Sequence, residues 1–204
     1  MDGMNSNSDM EIRSRPELGT LYFYLTGDCN MACRHCWIAP AFQQEDRSEK
    51  ALPYDTFVGV INEAVHLGLH SVKLTGGEPL IHPDIIRILQ YIRDHDLGLT
   101  IESNGVAVTP SIADLITSCR NHFISVSIDG LKESHEWMRG VHGAFERVTA
   151  GMKTLVKTGI HPQVIMAVAQ QNKHDIADLA QYAEFLGAGS VKFNFVTPTA
   201  RGER

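Results

Sequence analysis

A chain of 204 residues, 43% of them hydrophobic, is long enough to build one α/β domain around a real core. Its 18 Lys and Arg against 24 Asp and Glu leave a formal charge of -6 with no basic run, which disfavours binding along a nucleic-acid backbone. No stretch approaches the roughly 18 apolar residues of a membrane span and the start of the chain has no apolar signal core, so the reading is a cytoplasmic protein without membrane or nucleic-acid partners.

Residues 1–18 are polar and read as a flexible leader. Residues 21–25 (LYFYL) then form an apolar, aromatic run of strand type that leads into Thr26, Gly27, Asp28 and Cys29. A polar loop over 43–50 precedes Phe57, Ile61, Ala64 and Val65 at helical spacing, with Gly68 placed to stop the helix. Residues 71–75 are the second strand. A helix with the stripe Ile85, Ile88, Leu89 and Ile92, entered through Pro83 and Asp84, leads to a third strand at 99–102. Ile112, Leu115, Ile116 and Cys119 mark the next helix, and 123–128 the fourth strand. Phe145, Val148, Met152 and Leu155 carry a helix to Gly159, followed by a fifth strand at 164–168. Ile176, Leu179, Ala183 and Leu186 line a fifth helix, and 191–196 is the sixth strand.

Six strands joined by five helices long enough to cross back require parallel pairing through right-handed crossovers. Two architectures stay open on this pattern, a doubly wound sheet and a barrel, because short apolar strands suit either.

Three of the four cysteines fall within eight residues, Cys29-Asn30-Met31-Ala32-Cys33-Arg34-His35-Cys36, just past the first strand. Such clustering points to metal, not to a disulfide scaffold. Ferredoxin-type clusters take four cysteines, so a site with three leaves one iron without a protein ligand and open to chemistry. The alternative is a structural zinc on the three cysteines and a histidine such as His35, although zinc modules usually pair CxxC elements in small, loop-rich domains. Cys119 sits on the apolar stripe of its helix, the ordinary place for a buried thiol.

The ends of the later strands are polar. Gly76 and Gly77 let backbone approach a ligand closely, and Glu78, ahead of Pro79, offers a carboxylate to an ammonium group. Glu102-Ser103-Asn104-Gly105 closes the third strand, where Asn-Gly is also a plain turn dipeptide. Ser127 and Asp129, alternate residues, point to one side of the fourth strand and suit sugar hydroxyls; the competing reading is a capping Asp-Gly turn. Arg139 reads as a loop residue, where an arginine is either a solvated charge or a bidentate partner for a carboxylate.

CxxxCxxC with an aromatic residue, here His35, before the last cysteine is the signature of the radical S-adenosylmethionine superfamily, and residues 19–204 resemble that family. Thr75-Gly76-Gly77-Glu78-Pro79 matches its GGEP motif. The resemblance implies an α/β fold, a partial (β/α)6 barrel of TIM type with parallel strands, open on one side and with its site at the C-terminal strand ends. It implies one 4Fe-4S cluster on Cys29, Cys33 and Cys36, whose open iron is chelated by S-adenosylmethionine and which cleaves that cofactor reductively to a 5'-deoxyadenosyl radical. The cofactor contacts it implies are His35 beside the cluster, Gly76, Gly77, Glu78 and Pro79 at the amino group, and Ser103 and Asn104 after the third strand. Ser127 and Asp129 fall at the ribose, Arg139 at the methionyl carboxylate and Val168 against the adenine, with Asn172 a weaker candidate. The fifth strand lacks the GxIxGxxE pattern of some relatives.

Cys36-Trp37-Ile38-Ala39-Pro40, Ser127-Ile128-Asp129-Gly130 and Thr197-Pro198-Thr199-Ala200-Arg201-Gly202 look like the branch that usually carries a SPASM extension, and the Cys36–Pro40 string is most similar to its peptide maturases. That implies a ribosomally synthesised precursor peptide or protein as substrate and an electron donor such as flavodoxin or ferredoxin. The alternatives are radical enzymes of cofactor, haem or sulfatase maturation, or a zinc-bound binding module. No cysteine follows Cys119, so the extension is expected to be absent and the edge of the sixth strand open.

Overall fold

The computed structural model describes residues 17–38, 41–42 and 51–197. Most of the expected leader, the polar loop over 43–50 and the string from Pro198 onward lie outside the described residues. Six strands form one sheet: β1 (Gly19–Thr26), β2 (Leu69–Gly76), β3 (Gly98–Ser103), β4 (Arg120–Ser127), β5 (Gln163–Val168) and β6 (Ser190–Phe195). Every neighbouring pair is parallel and the spatial order is the chain order, β1 through β6. A doubly wound sheet reverses its order at a switch point, whereas this one only advances, which is how a barrel wall is laid down. Because β1 and β6 are both edges of the described sheet, the wall is open.

The crossovers are α1 (Tyr54–Val65), α2 (Ile85–Asp94), α3 (Pro110–Ser118), α4 (Lys132–Arg139), α5 (Ala144–Lys157) and α6 (Ile176–Phe185). Apolar stripes at i, i+3 and i+4 explain five of them: Ile85, Ile88, Leu89 and Ile92 of α2 are all buried, as are Val148, Met152 and Leu155 of α5. They cover one face of the sheet, where Phe23, Leu25, Val72, Leu74, Ile101 and Val126 belong to a single core. The opposite residues of the strands stay open. Tyr22 and Tyr24 alternate with buried Phe23 and Leu25, and Lys73 and Thr75 with Val72 and Leu74.

The helix α4 differs from the sequence expectation, which has five helices and places Arg139 in a loop. Its segment, KESHEWMR, buries only His135, Met138 and Arg139, so it presents no apolar stripe to read. It is held from the inside by polar contacts and ended by Gly140 in the left-handed region, φ 65°.

Candidate functional site

The cysteine segment is clamped between two strand ends and a helix end. The N–H of Ala32 donates to the Arg139 carbonyl (3.0 Å) and that of Arg34 to the Met138 carbonyl (2.8 Å), while Arg34 Nε donates to the Trp137 carbonyl (2.9 Å). The last carbonyls of a helix lack intrahelical partners, and here the cysteine loop supplies the donors for α4. On the other side the N–H groups of Gly77 and Glu78 donate to the carbonyls of Thr26 and Asp28, both at 2.8 Å. A Cβ at Gly77 would stand 1.9 Å from the Asp28 carbonyl oxygen, and Gly76 has φ 119°. The close approach that the paired glycines permit is therefore to the backbone just before Cys29.

Glu78 is 1% exposed. Its Oε1 accepts from the Leu80 N–H (3.0 Å), capping the short 3-10 turn Pro79–Ile81, and from Ser103 Oγ (2.8 Å); its Oε2 accepts from the Asn104 N–H (2.7 Å). Burial pushes its pKa up, against the pull of those three donors. Asn104 continues the chain of contacts, with Nδ2 donating to Asn30 Oδ1 at 2.6 Å and standing 3.9 Å from Cys29 Sγ. Ser103 and Asn104, offered by the sequence as a turn or as polar ligands, are both buried and tie the end of β3 to the GGEP segment; Asn104 also ties it to the cysteine loop.

A second network lies just past the end of β4. Asp129, fully buried, accepts from the Ala167 N–H through Oδ1 (2.9 Å), and its Oδ2 lies 2.8 Å from Arg139 Nε, an ion pair whose N–H does not point along the contact. Arg139 Nη1 donates to Cys33 Sγ (3.5 Å), and His35 Nε2 is 3.9 Å from Asp129 Oδ2. Burial opposes the charge on Arg139, but Asp129 and Cys33 outweigh it and hold the guanidinium protonated. Asn172, also fully buried, donates to the carbonyls of Asp129 and Ala167, both at 2.8 Å, which makes it a brace between β4 and β5. The Asp129 N–H donates to Nδ1 of His135, a residue the sequence reading passes over because α4 has no stripe; its only signal is the i,i+4 spacing to Arg139.

Cys29, Cys33, Cys36, His35, Gly76, Gly77, Glu78, Ser103, Asn104, Ser127 and Arg139 line one cavity of about 330 Å³. Ser127, Asp129, His35 and Arg139 also line an adjoining cavity of about 650 Å³ with Ile165 and Ala167. Pro79 is buried in its 3-10 turn. Val168 lies on a third cavity of about 480 Å³, which shares His35 but none of the cysteines.

The residues fit a thiolate-held iron–sulfur cluster. Burial pushes the Cys29 thiol up to about 12 and raises Cys33, so thiolates here need bound positive charge. The guanidinium at Cys33 and the amide at Cys29 are donors of the kind that surround cluster sulfurs. Among the described residues no group of three or more His, Cys, Asp or Glu side chains is placed to hold a metal ion.

The model of the radical SAM superfamily matches residues 23–183. The chain belongs to that superfamily of enzymes. Its members use S-adenosylmethionine and an iron–sulfur cluster, which accords with the clamped cysteine loop. The chain is 34% identical over 180 residues to an AdoMet-dependent heme synthase of Methanosarcina barkeri, covering 88% of this chain and 51% of that protein. It is 28% identical to AlbA, the antilisterial bacteriocin subtilosin biosynthesis protein of Bacillus subtilis, over 88% of this chain and 40% of AlbA. Among solved structures, Streptococcus suis SuiB bound to S-adenosylmethionine superposes with a TM-score of 0.73 at 19% identity, over 89% of this chain and 41% of SuiB. This radical SAM chain thus spans about half the length, or less, of the curated relatives named. Among its described residues no helix is long and apolar enough to cross a membrane.

Proposed function

We propose that this radical SAM chain binds one 4Fe-4S cluster through Cys29, Cys33 and Cys36 and acts on a ribosomally synthesised precursor peptide. When bound, the cluster supplies an electron that cleaves S-adenosylmethionine to methionine and a 5'-deoxyadenosyl radical able to take hydrogen from a substrate C–H bond. The observation that carries the reading is that the three cysteines, Glu78 and Asn104 line one cavity. Main-chain and side-chain groups of Gly77, Ser103 and Ser127 face the same space and are the candidates to orient the cofactor's amino group and ribose. Arg139 holds positive charge beside Cys33 and the thiolates, and in doing so favours their ionised form. His35 and Trp37 line both this cavity and the adjoining 650 Å³ one, which is the candidate space for a peptide segment.

The peptide reading is supported by the likeness to AlbA and by the open side of the sheet. A second reading, maturation of a haem precursor, is favoured by the 34% identity to the heme synthase. Anaerobic reconstitution tests the common core. About four iron and four sulfide per chain are expected, with 5'-deoxyadenosine formed on reduction in the presence of S-adenosylmethionine. Cys33→Ala should abolish the cluster absorbance; a variant that kept full iron content and spectrum would overturn the assignment. Product analysis with a candidate precursor peptide, in parallel with a haem precursor, separates the two substrate readings.

A further inference from the structure

The open face of the sheet carries one charged group of residues that neither the cluster nor the proposed cofactor contacts use. Lys73 Nζ on β2 donates to Glu102 Oε1 on β3 at 2.5 Å, and Thr75 Oγ1 donates to the other carboxylate oxygen at 3.2 Å. The same ammonium stands 5.2 Å from the centre of the Tyr22 ring, within cation–π range. These side chains line the 330 Å³ cavity, and Glu102 reaches the adjoining 650 Å³ cavity as well. Lys73 precedes Gly76 by three residues, so it sits roughly 10 Å along the strand from the glycine turn, below the strand ends where the cofactor contacts gather.

A packing role alone explains this group poorly. Neighbouring positions on the covered face of the same strands are Val72, Leu74 and Ile101, and apolar residues would fill the open face without a charge to satisfy. An ammonium has three donors and no acceptor; Glu102 takes one, and the 22% exposure of the Lys73 side chain leaves donor capacity on the cavity side. Around it the walls are aromatic. Tyr24 and Trp37 meet edge to face at 6.4 Å, and both are more than half exposed. One oriented cation among ring faces suits a carboxylate carried on an apolar or flat body.

We propose that Lys73, braced by Glu102, binds a carboxylate of the substrate, while Tyr22, Tyr24 and Trp37 hold the apolar body that carries it. The inference rests on the radical-enzyme reading of this cavity and names the substrate class it takes. Glu102 keeps the ammonium aimed before substrate arrives, and the bound carboxylate then shares the lysine with it. The chemistry is common to an acidic peptide side chain and to the propionates of a porphyrin.

Binding to the reconstituted full chain, followed by quenching of Trp and Tyr fluorescence, tests it with two probe pairs. One pair is coproporphyrin III and its tetramethyl ester; the other is acetyl-Phe-Gly-Glu-Phe amide and the same peptide with Gln for Glu. At least one free acid should bind about tenfold or more tightly than its blocked counterpart. That preference should vanish in Lys73→Met, persist in Lys73→Arg and weaken in Glu102→Gln, and the pair that shows it names the source of the carboxylate. Equal binding of acid and blocked forms in both pairs, a measurement on unaltered protein alone, overturns the inference, as does a preference that survives Lys73→Met. Iron content and 5'-deoxyadenosine formation by the unaltered chain are read separately. If they fail, the radical-enzyme reading fails; if they hold while the acid preference is absent, only the role of Lys73 does.

Discussion

Arg139 and Asp129 meet at 2.8 Å with 8% and 0% of their side-chain surfaces exposed, one from the end of α4 and the other from just past β4. Through this pair the helix end that receives the cysteine loop is fastened to the sheet, because Asp129 Oδ1 also accepts from the Ala167 N–H on β5. Removing one member of a buried pair leaves an uncompensated charge, which costs about 3–5 kcal/mol. Asp129→Asn keeps an acceptor for Ala167 and deletes the charge, so it should lower unfolding free energy by about 3 kcal/mol in urea titration. A loss below about 1 kcal/mol would mean that water or another anion already serves Arg139.

Glu78→Gln is a narrower probe. Three donors converge on the carboxylate, and an amide turns one of those meetings into donor against donor. One buried group left without its bond costs about 1–3 kcal/mol. Because Ser103 and Asn104 are hydrogen-bonded to Glu78, S-adenosylmethionine binding should weaken by about tenfold or more while iron content stays near that of the unaltered protein. Equilibrium binding by calorimetry beside an iron assay decides it, and unchanged affinity would remove Glu78 from the cofactor site.

Much of this was legible beforehand, and what was not has physical reasons. Strands and helices with apolar alternation or stripes could be read because burial on one face writes a period into the sequence. The first strand begins at Gly19, not at residue 21, because backbone pairing with Leu69 extends it where side chains give no signal. The helix α4 escaped because polar contacts, not apolar ones, hold it. The cysteine triplet and the glycines were legible as motifs, but the partner of the glycines was not: a Gly-Gly turn looks the same whether backbone or ligand approaches it. Arg139 and Asp129 stood out as candidates for the cofactor, and their pairing with each other depends on the distance between two elements, which no local pattern encodes.

Gly77 and Gly59 make a matched pair of alanine substitutions. A Cβ at Gly77 runs into the Asp28 carbonyl at 1.9 Å, whereas one at Gly59, inside α1, meets nothing within 4 Å. Gly77→Ala must push the backbone before Cys29 away, costing about 1–3 kcal/mol or more by overpacking and lowering cluster content on reconstitution. Gly59→Ala should instead stabilise the chain by about 0.5–1 kcal/mol, since alanine restricts the unfolded chain and favours helix. Thermal melting and iron assays on both variants check the contrast, and equal effects at the two sites would contradict it.

His135 is 1% exposed, packs edge-on against Phe145 at 5.9 Å, and accepts the Asp129 N–H at Nδ1 (3.1 Å). Burial first, and then the charge of Arg139, lower its pKa from the ordinary 6.5 to about 3. Protonating Nδ1 would set a second donor against the Asp129 N–H, so the folded ring stays neutral where the unfolded one takes up a proton. Between pH 6.5 and about 3 the unfolded state therefore holds more protons, and stability falls on acidification, by at most about 1.4 kcal/mol per pH unit for this one group. The contribution is whole above pH 6.5 and shrinks below it. Glu78, whose pKa is raised by burial, works in the opposite direction, losing stability as pH rises above the ordinary carboxylate range. The two are separated by His135→Gln, which keeps an acceptor for Asp129 and cannot titrate. Unfolding free energies of the metal-free chain, measured from pH 7 to pH 4, should fall less steeply in the variant than in the unaltered protein. Parallel curves would show that the folded ring takes up its proton as readily as the unfolded one and that Asp129 is positioned by something else.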